Sequence, residues 1–344
     1  MTRVTDLMDV FVCAGCEAVL TAPVVRVPLP PEAHVSCGHE FLPPLMAPGT
    51  YAVEPLPSGR PSRMWEDLAE SEAAAQGVYA PVYGVSFGPR DRAVVAPGDV
   101  RGTVLVPERC GDSCLGVVAG EGPNLVCEAC GLPVACREDD CGIWSAVWFE
   151  PDAVRRVSTG VPAPVGELTP LPPVEPPGRW SPRWAAATGA ALAHLLAASD
   201  GGPVVLPAGL VTELLGPAVR ALLPAEGPAK QVGLAGPGLP GDDLDIVLVP
   251  YGAPPPVGAA AVPLPDGVWS YLALPGETRP IPASGTLPAG VLRDDYPLPD
   301  HPWSLLRPDR DAFLYTLARL PEVRSPWLRT LYDRVWTSPY GSVF

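Results

Sequence analysis

Nine cysteines lie between Cys13 and Cys141 of a 344-residue chain, and none follows. This asymmetry constrains the fold more than any other feature. The first part can be held together by thiols or metal, whereas the remainder must rely on apolar packing. A chain of this length has two domains as its default expectation. The segment from Met1 to Val12 carries one arginine, two aspartates and a short apolar run, which is not the layout of a secretory leader. No stretch reaches the roughly 18 uninterrupted apolar residues of a membrane span. A cytoplasmic, reducing location is expected, where cysteines are thiols or metal ligands rather than disulfides. An odd number of them also fits pairing poorly.

The first cluster is Cys13-Ala14-Gly15-Cys16, followed by Cys37-Gly38-His39. A Cys-x-x-Cys pair presents two thiolates to one ion from a single tight turn, and Gly15 and Gly38 supply the backbone freedom for such turns. The excursion between the pairs is long enough for a hairpin of the zinc-ribbon kind. The expected ligands are Cys13, Cys16, Cys37 and His39. His34 is the rival for the fourth position, and His39 is preferred because it and Cys37 flank one glycine.

The second cluster holds Cys110, Cys114, Cys127, Cys130, Cys136 and Cys141. Its firmest element is Cys127-Glu128-Ala129-Cys130-Gly131, where a glycine after the second cysteine lets the turn fold amides around sulfur. Cys114 precedes it by a hairpin's length, with the turn-forming stretch Gly120 to Asn124 between. The fourth ligand is Cys110 or Cys141. Cys141 is preferred, giving an expected set of Cys114, Cys127, Cys130 and Cys141, and Cys136 reads as a buried thiol on an apolar strand. Four sulfur or nitrogen donors per site describe closed, structural zinc rather than catalytic zinc. Glu40 directly after His39, and Val126 before Cys127, depart from the deaminase pattern. The stretch Cys37 to Phe41 also lacks the second histidine of a metalloprotease helix. A redox-active thiolate needs cationic surroundings, and Glu17, Glu128, Glu138, Asp139 and Asp140 supply the opposite.

With 49 prolines and 35 glycines, short elements joined by many turns are expected. The first part reads as strands at 10–12, 18–27, 51–53, 78–87, 94–95, 103–106 and 143–149. One helix interrupts them, capped by Ser62, with Met64, Trp65, Leu68 and Ala69 on its inner face. From Ser158 to Gly178 a proline-rich run without apolar period predicts an extended connector. The expected chain is α+β: a β-rich zinc-binding domain with zinc-ribbon-like elements over 1–157, a linker over 158–179, and a small α/β domain over 180–344. In the last of these, helices are expected at 183–198 and along the stripe Leu210, Val211, Leu214, Leu215, Val219 and Leu222. Strands are expected at 204–206 and 244–249, and a terminal helix opened by Ser325 and Pro326.

A net charge of −15 argues against nucleic acid, whose binding rests on Lys and Arg displacing counterions. The run from Gly233 to Gly241 leads into Asp243 and Asp245 ahead of an apolar strand. That resembles the nucleotidyltransferase signature, which implies two aspartates on one strand holding Mg²⁺ against a triphosphate. The family's Gly-Ser pair is missing, and the loop has no basic residue. A Mg²⁺-dependent nucleotide enzyme is therefore the alternative function. His194 and His301 stand far from any cysteine and receive no role. As a whole the chain resembles actinobacterial proteins with zinc-ribbon-like cysteine clusters, on the cysteine pairs and composition, and that resemblance implies no activity. The leading expectation is a zinc-stabilised, non-enzymatic protein whose β-rich domain binds another protein.

Overall fold

Short runs of Val, Ala, Tyr and Phe between glycine and proline punctuation become strands in the first part of the chain, because successive side chains point to opposite faces and both faces find a core. The computed structural model describes residues 7–163, 170–175, 178–273, 302 and 305–338. Helices and strands both contribute substantially, as in an α+β chain, and the chain divides into two compact units, 1–166 and 167–344.

The first unit contains strands β1 (Leu7–Cys13), β2 (Val25–Arg26), β3 (Thr50–Glu54), β4 (Ser62–Met64), helix α1 (Glu70–Ala75), and strands β5 (Gly84–Ser86), β6 (Arg92–Val95), β7 (Thr103–Leu105), β8 (Leu125–Cys127), β9 (Pro133–Glu138), β10 (Ala146–Phe149) and β11 (Val154–Pro162). Seven form one sheet in the order β2-β3-β6-β10-β9-β8-β7, antiparallel except where β2 runs beside β3. Tyr51, Ala93, Val95, Ala135, Val147 and Phe149 face one core, and Ala52, Val94, Cys136, Ala146 and Trp148 face the other. Burial on both faces explains why β6 and β10 are apolar without alternation. The ribbon of β1 against β11 adds Phe11 and Cys13 to the first core. Leu42, Leu45, Met46 and Trp144 close the second.

Several boundaries differ from the sequence expectation. Ser62 does not cap a helix; it pairs with Ser86 in the β4–β5 hairpin. The helix starts only after Ala69, where the Glu72 carboxylate accepts from the Ala69 N–H at 3.0 Å. Strand pairing of 62–64 has displaced the first helical turn, and Met64 is left exposed. The long strand expected over 18–27 survives as β2 alone, flanked by single bridges such as Val12 to Val19 and Thr21 to Val100. Strand β11 continues to Pro162, so the proline-rich run begins as strand. Its residues 164–169 and 176–177 lie outside the described residues.

The second unit contains α2 (Pro182–Ser199), β12 (Val204–Val205), α3 (Leu210–Leu222), β13 (Lys230–Leu234), β14 (Ile246–Pro250), β15 (Ala260–Leu264), α4 (Asp266–Ala273), α5 (Arg310–Leu317) and α6 (Pro326–Thr337). Its four strands form a parallel sheet in sequence order. Helix α2 is buried on most sides, and its small residues admit close neighbours: the Asp309 N–H donates to the Ala185 carbonyl at 2.8 Å, and a Cβ on Gly189 would meet the Asp309 backbone. Parallel strands need a crossover. Helix α3 supplies one between β12 and β13, and the glycine-rich stretch 235–245 supplies the next without a helix.

Candidate metal centre

The two Cys-x-x-Cys turns share one backbone plan. In the first, the Cys13 N–H donates to the Ala18 carbonyl at 2.8 Å and the Glu17 N–H returns to the Cys13 carbonyl at 2.9 Å. In the second, the Cys127 N–H donates to the Leu132 carbonyl at 2.8 Å and the Gly131 N–H returns to the Cys127 carbonyl at 2.8 Å. Each turn places a left-handed residue directly after its second cysteine, Glu17 at φ 63° and Gly131 at φ 75°. That conformation folds the following amide back toward sulfur: Ala18 bonds the Cys16 thiol and Leu132 the Cys130 thiol.

The sheet brings these turns together. After the first turn, the Leu20 carbonyl accepts from the Arg101 N–H at 2.8 Å, and the Gly102 carbonyl then accepts from the Glu128 N–H at 2.9 Å. The segment 100–102 thus forms a backbone bridge from one cysteine turn to the other. Cys13 and Cys127 are fully buried beside Phe11, Leu20 and Leu132, while Cys16 and Cys130 are exposed. The Cys13 and Cys130 sulfurs lie 3.6 Å apart, as do those of Cys16 and Cys127. All four sulfurs fall within 4.8 Å of one another, and the four could hold a metal ion. A tetrahedron with metal–sulfur bonds of about 2.3 Å has edges of roughly 3.8 Å, the scale observed. A Cβ on Gly15 would stand 3.6 Å from the Cys130 sulfur, so the first turn covers the sulfurs closely.

The electrostatics also favour a cation. Burial pushes the Cys127 thiol up, but the amides of Cys130 and Ala129 and the thiols of Cys16 and Cys13 outweigh it and bring it down to about 7. The Ala18 amide lowers Cys16, yet the Cys130 thiol, partial burial and the Cys127 and Cys13 thiols together push it up to about 12. The Cys127 thiolate forms readily, and Cys16 and Cys130 resist joining it. A bound divalent ion removes that resistance by neutralising adjacent sulfurs.

The structure therefore groups the expected ligands differently. Cys13 and Cys16 join Cys127 and Cys130, and neither pair closes with the residues nearest to it in sequence. Cys37 and His39 lie on a turn whose backbone bonds to residues 141–142, the Cys37 N–H donating to the Gly142 carbonyl at 3.0 Å. Cys114 and Cys141 lie near each other, the Cys114 N–H donating to the Asp140 carboxylate at 2.8 Å. His34, the rival ligand, stacks on Trp148 and bonds Glu54 at 2.8 Å. Cys110 is held by Val106 and Asn124. Cys136 is buried beside the Glu150 carboxylate, and burial first, then nearby acids, push its thiol up to about 12 against the Arg92 charge. The sequence signal for this grouping lay in the repeat of Cys-x-x-Cys, a turn residue and an apolar residue.

In the second unit the two aspartates of the nucleotide reading lie ahead of the strand rather than within it. Strand β14 begins at Ile246, and Asp243 sits before it in a left-handed turn at φ 61°. The Asp245 carboxylate accepts from the Gln231 N–H at 2.7 Å, tying β14 to β13. The glycines there answer to packing: a Cβ on Gly236 would come within 2.6 Å of the Trp269 ring, and one on Gly241 would collide with Ala235. His194 lies on α2, and His301 is outside the described residues. Among the described residues, no helix is long and apolar enough to cross a membrane. No known protein family, no curated protein and no solved structure matches the chain.

Proposed function

We propose that this is a zinc-stabilised cytoplasmic protein whose β-rich first unit serves as a protein-interaction module. The observation that carries the reading is the convergence of Cys13, Cys16, Cys127 and Cys130, from two distant turns of the unit, on one set of sulfurs within 4.8 Å of one another. Four soft thiolates in that geometry suit zinc. They also leave no open position for a reacting water, so the metal's role is structural. Ligation free energy becomes folding free energy when the unfolded chain has no site. The interaction role is supported by Phe41 and Leu115, large apolar side chains each more than half exposed. Phe41 lies beside the residue that follows Leu115, since a Cβ on Gly116 would lie 3.0 Å from the Phe41 ring. The net charge of −15 favours a protein partner over nucleic acid.

Elemental analysis of untagged protein purified without chelator is the test. Zinc should be present, and Cys16→Ser with Cys130→Ser should remove about one equivalent. Zinc-free protein with nine titratable thiols would end the metal reading. For the interaction role, Phe41→Asp with Leu115→Asp should abolish partner retention while leaving the metal of the Cys13, Cys16, Cys127 and Cys130 centre in place. Equal retention by both forms would remove that surface from consideration.

A further inference from the structure

Three segments far apart in the sequence meet at the other cysteines of the first unit. The Cys37 N–H donates to the Gly142 carbonyl and the Gly142 N–H donates to the Glu40 carbonyl, both at 3.0 Å, and Phe41 bridges to Cys141. A Cβ on Gly142 would lie 2.7 Å from the Gly38 carbonyl oxygen, so the two backbones touch. The third segment is clamped to the second by a side chain. The Asp140 carboxylate accepts from the N–H groups of Cys114, Leu115 and Gly116 at 2.8, 2.6 and 2.9 Å. Val117 and Asp139 add a reciprocal backbone pair at 2.9 and 2.7 Å. The Asp140 clamp thereby brings the Cys114 thiol near that of Cys141.

A second observation sets Cys37 and Cys141, though not Cys114, apart from Cys110 and Cys136. Cys37 is followed by Gly38 at φ 69° and Cys141 by Gly142 at φ 72°, the device that follows Cys16 and Cys130 in the first centre. Neither Cys110 nor Cys136 has a left-handed successor. A left-handed residue there turns successive amides toward a sulfur that carries negative charge. His39 is exposed on the same turn as Cys37, two residues on.

We propose that Cys37, His39, Cys114 and Cys141 bind a second divalent metal ion of the zinc class, closing the two loops and the Cys114 turn around it. This goes beyond the first centre and does not rest on it. The four donor atoms are not drawn within 4.8 Å as the first set is. Cys114 and His39 are exposed, and their side chains have solvent room in which to close on an ion. Three thiols and an imidazole binding Zn²⁺ release three protons to solvent and leave the metal with a complete tetrahedral shell.

Metal counting and thiol accessibility on the full chain test this together. Wild type should carry about two zinc ions, and Cys114→Ser with Cys141→Ser about one. Cobalt substituted into the two sites should give distinct three-sulfur-one-nitrogen and four-sulfur spectra. If the variant fails to fold, peptide-resolved alkylation of zinc-loaded wild type decides. Exposed Cys114 should react about tenfold more slowly, or less still, before chelation than after it, because a ligated sulfur is not a free nucleophile. Rapid alkylation of Cys114 alone, or a Cys114–Cys141 disulfide in unreduced protein, overturns the second site and leaves the first intact. Rapid alkylation of Cys16 and Cys130 with Cys114 protected removes the first centre instead.

Discussion

The two units close their folds by different means. In the first, the sheet separates two modest cores, many strands span only two to four residues, and much of the chain runs in turns. What joins the first strand to the β8–β9 turn is a set of four sulfurs. The second unit has no cysteine. There α2, eighteen residues long and mostly buried, lies against the strands of a parallel sheet and against α5. The contrast shows what apolar periodicity can substitute for. Where a long helix presents Ala, Leu and Trp to a sheet, burial suffices, whereas short strands crossed by proline leave ends that the four sulfurs bring together.

The comparison breaks most visibly if metal is removed. Structural zinc contributes roughly 10–16 kcal/mol of apparent ligation free energy, as large as the ~5–15 kcal/mol stability of a whole domain. Excess chelator should therefore unfold the first unit while the second keeps its helices. Hydrogen exchange read by mass spectrometry would show β1, β8, β9 and β10 exchanging freely with α2 and β14 still protected. Loss of protection in both units would mean that they share one stability. Full protection in the first would mean that its two cores stand without metal.

The reverse experiment has a smaller expected effect. Trp184 is fully buried, meets Tyr271 edge-on at 5.4 Å, and donates from Nε1 to the Leu171 carbonyl at 3.0 Å. Trp184→Ala should cost about 3–5 kcal/mol through the cavity and the orphaned carbonyl. The denaturant midpoint of the second unit should fall while the zinc content of the chain stays constant. A concurrent loss of zinc would contradict the division of labour.

The same contrast sets what could be read from the sequence. Helices α2, α3 and α6 were legible because a 3.6-residue stripe is local, and Leu328, Leu331, Tyr332 and Val335 are buried as the stripe requires. Strand β13 was missed because Lys230-Gln231-Val232-Gly233-Leu234 has little alternation, and its place depends on β14. The ligand types at the cysteine turns were legible from chemistry, since Cys-x-x-Cys is a local device. Their partners were not, because proximity in sequence favoured Cys37 for Cys13, whereas the bridge through Arg101 and Gly102 carries the chain to Cys127. The glycines before Asp243 and Asp245 show the same limit in reverse. A local pattern suggested phosphate chemistry, and the packing of Gly236 on Trp269 accounts for the glycine.

The smallest expected effect sharpens the comparison by pH. Burial lowers the His194 imidazole from 6.5 to about 4, against the opposing charge of Glu322. Between those values the unfolded state binds a proton that the folded state refuses, so the contribution of His194 is complete above pH 6.5 and is lost as pH falls toward 4. Burial raises the carboxyls of Asp266 and Asp309, and these favour the folded state as pH falls through the carboxylate range, opposing the histidine. The difference between wild type and His194→Gln isolates the imidazole. Across pH 6.5 to 4.5 the melting temperature of the second unit should drop more steeply in wild type than in the variant, with the two profiles parallel above pH 7. Parallel profiles throughout would mean that water reaches the ring. Zinc release from the first unit also advances with acid, because its sulfurs must stay deprotonated to bind. That release should be identical in wild type and variant, since no buried histidine of the second unit takes part in it.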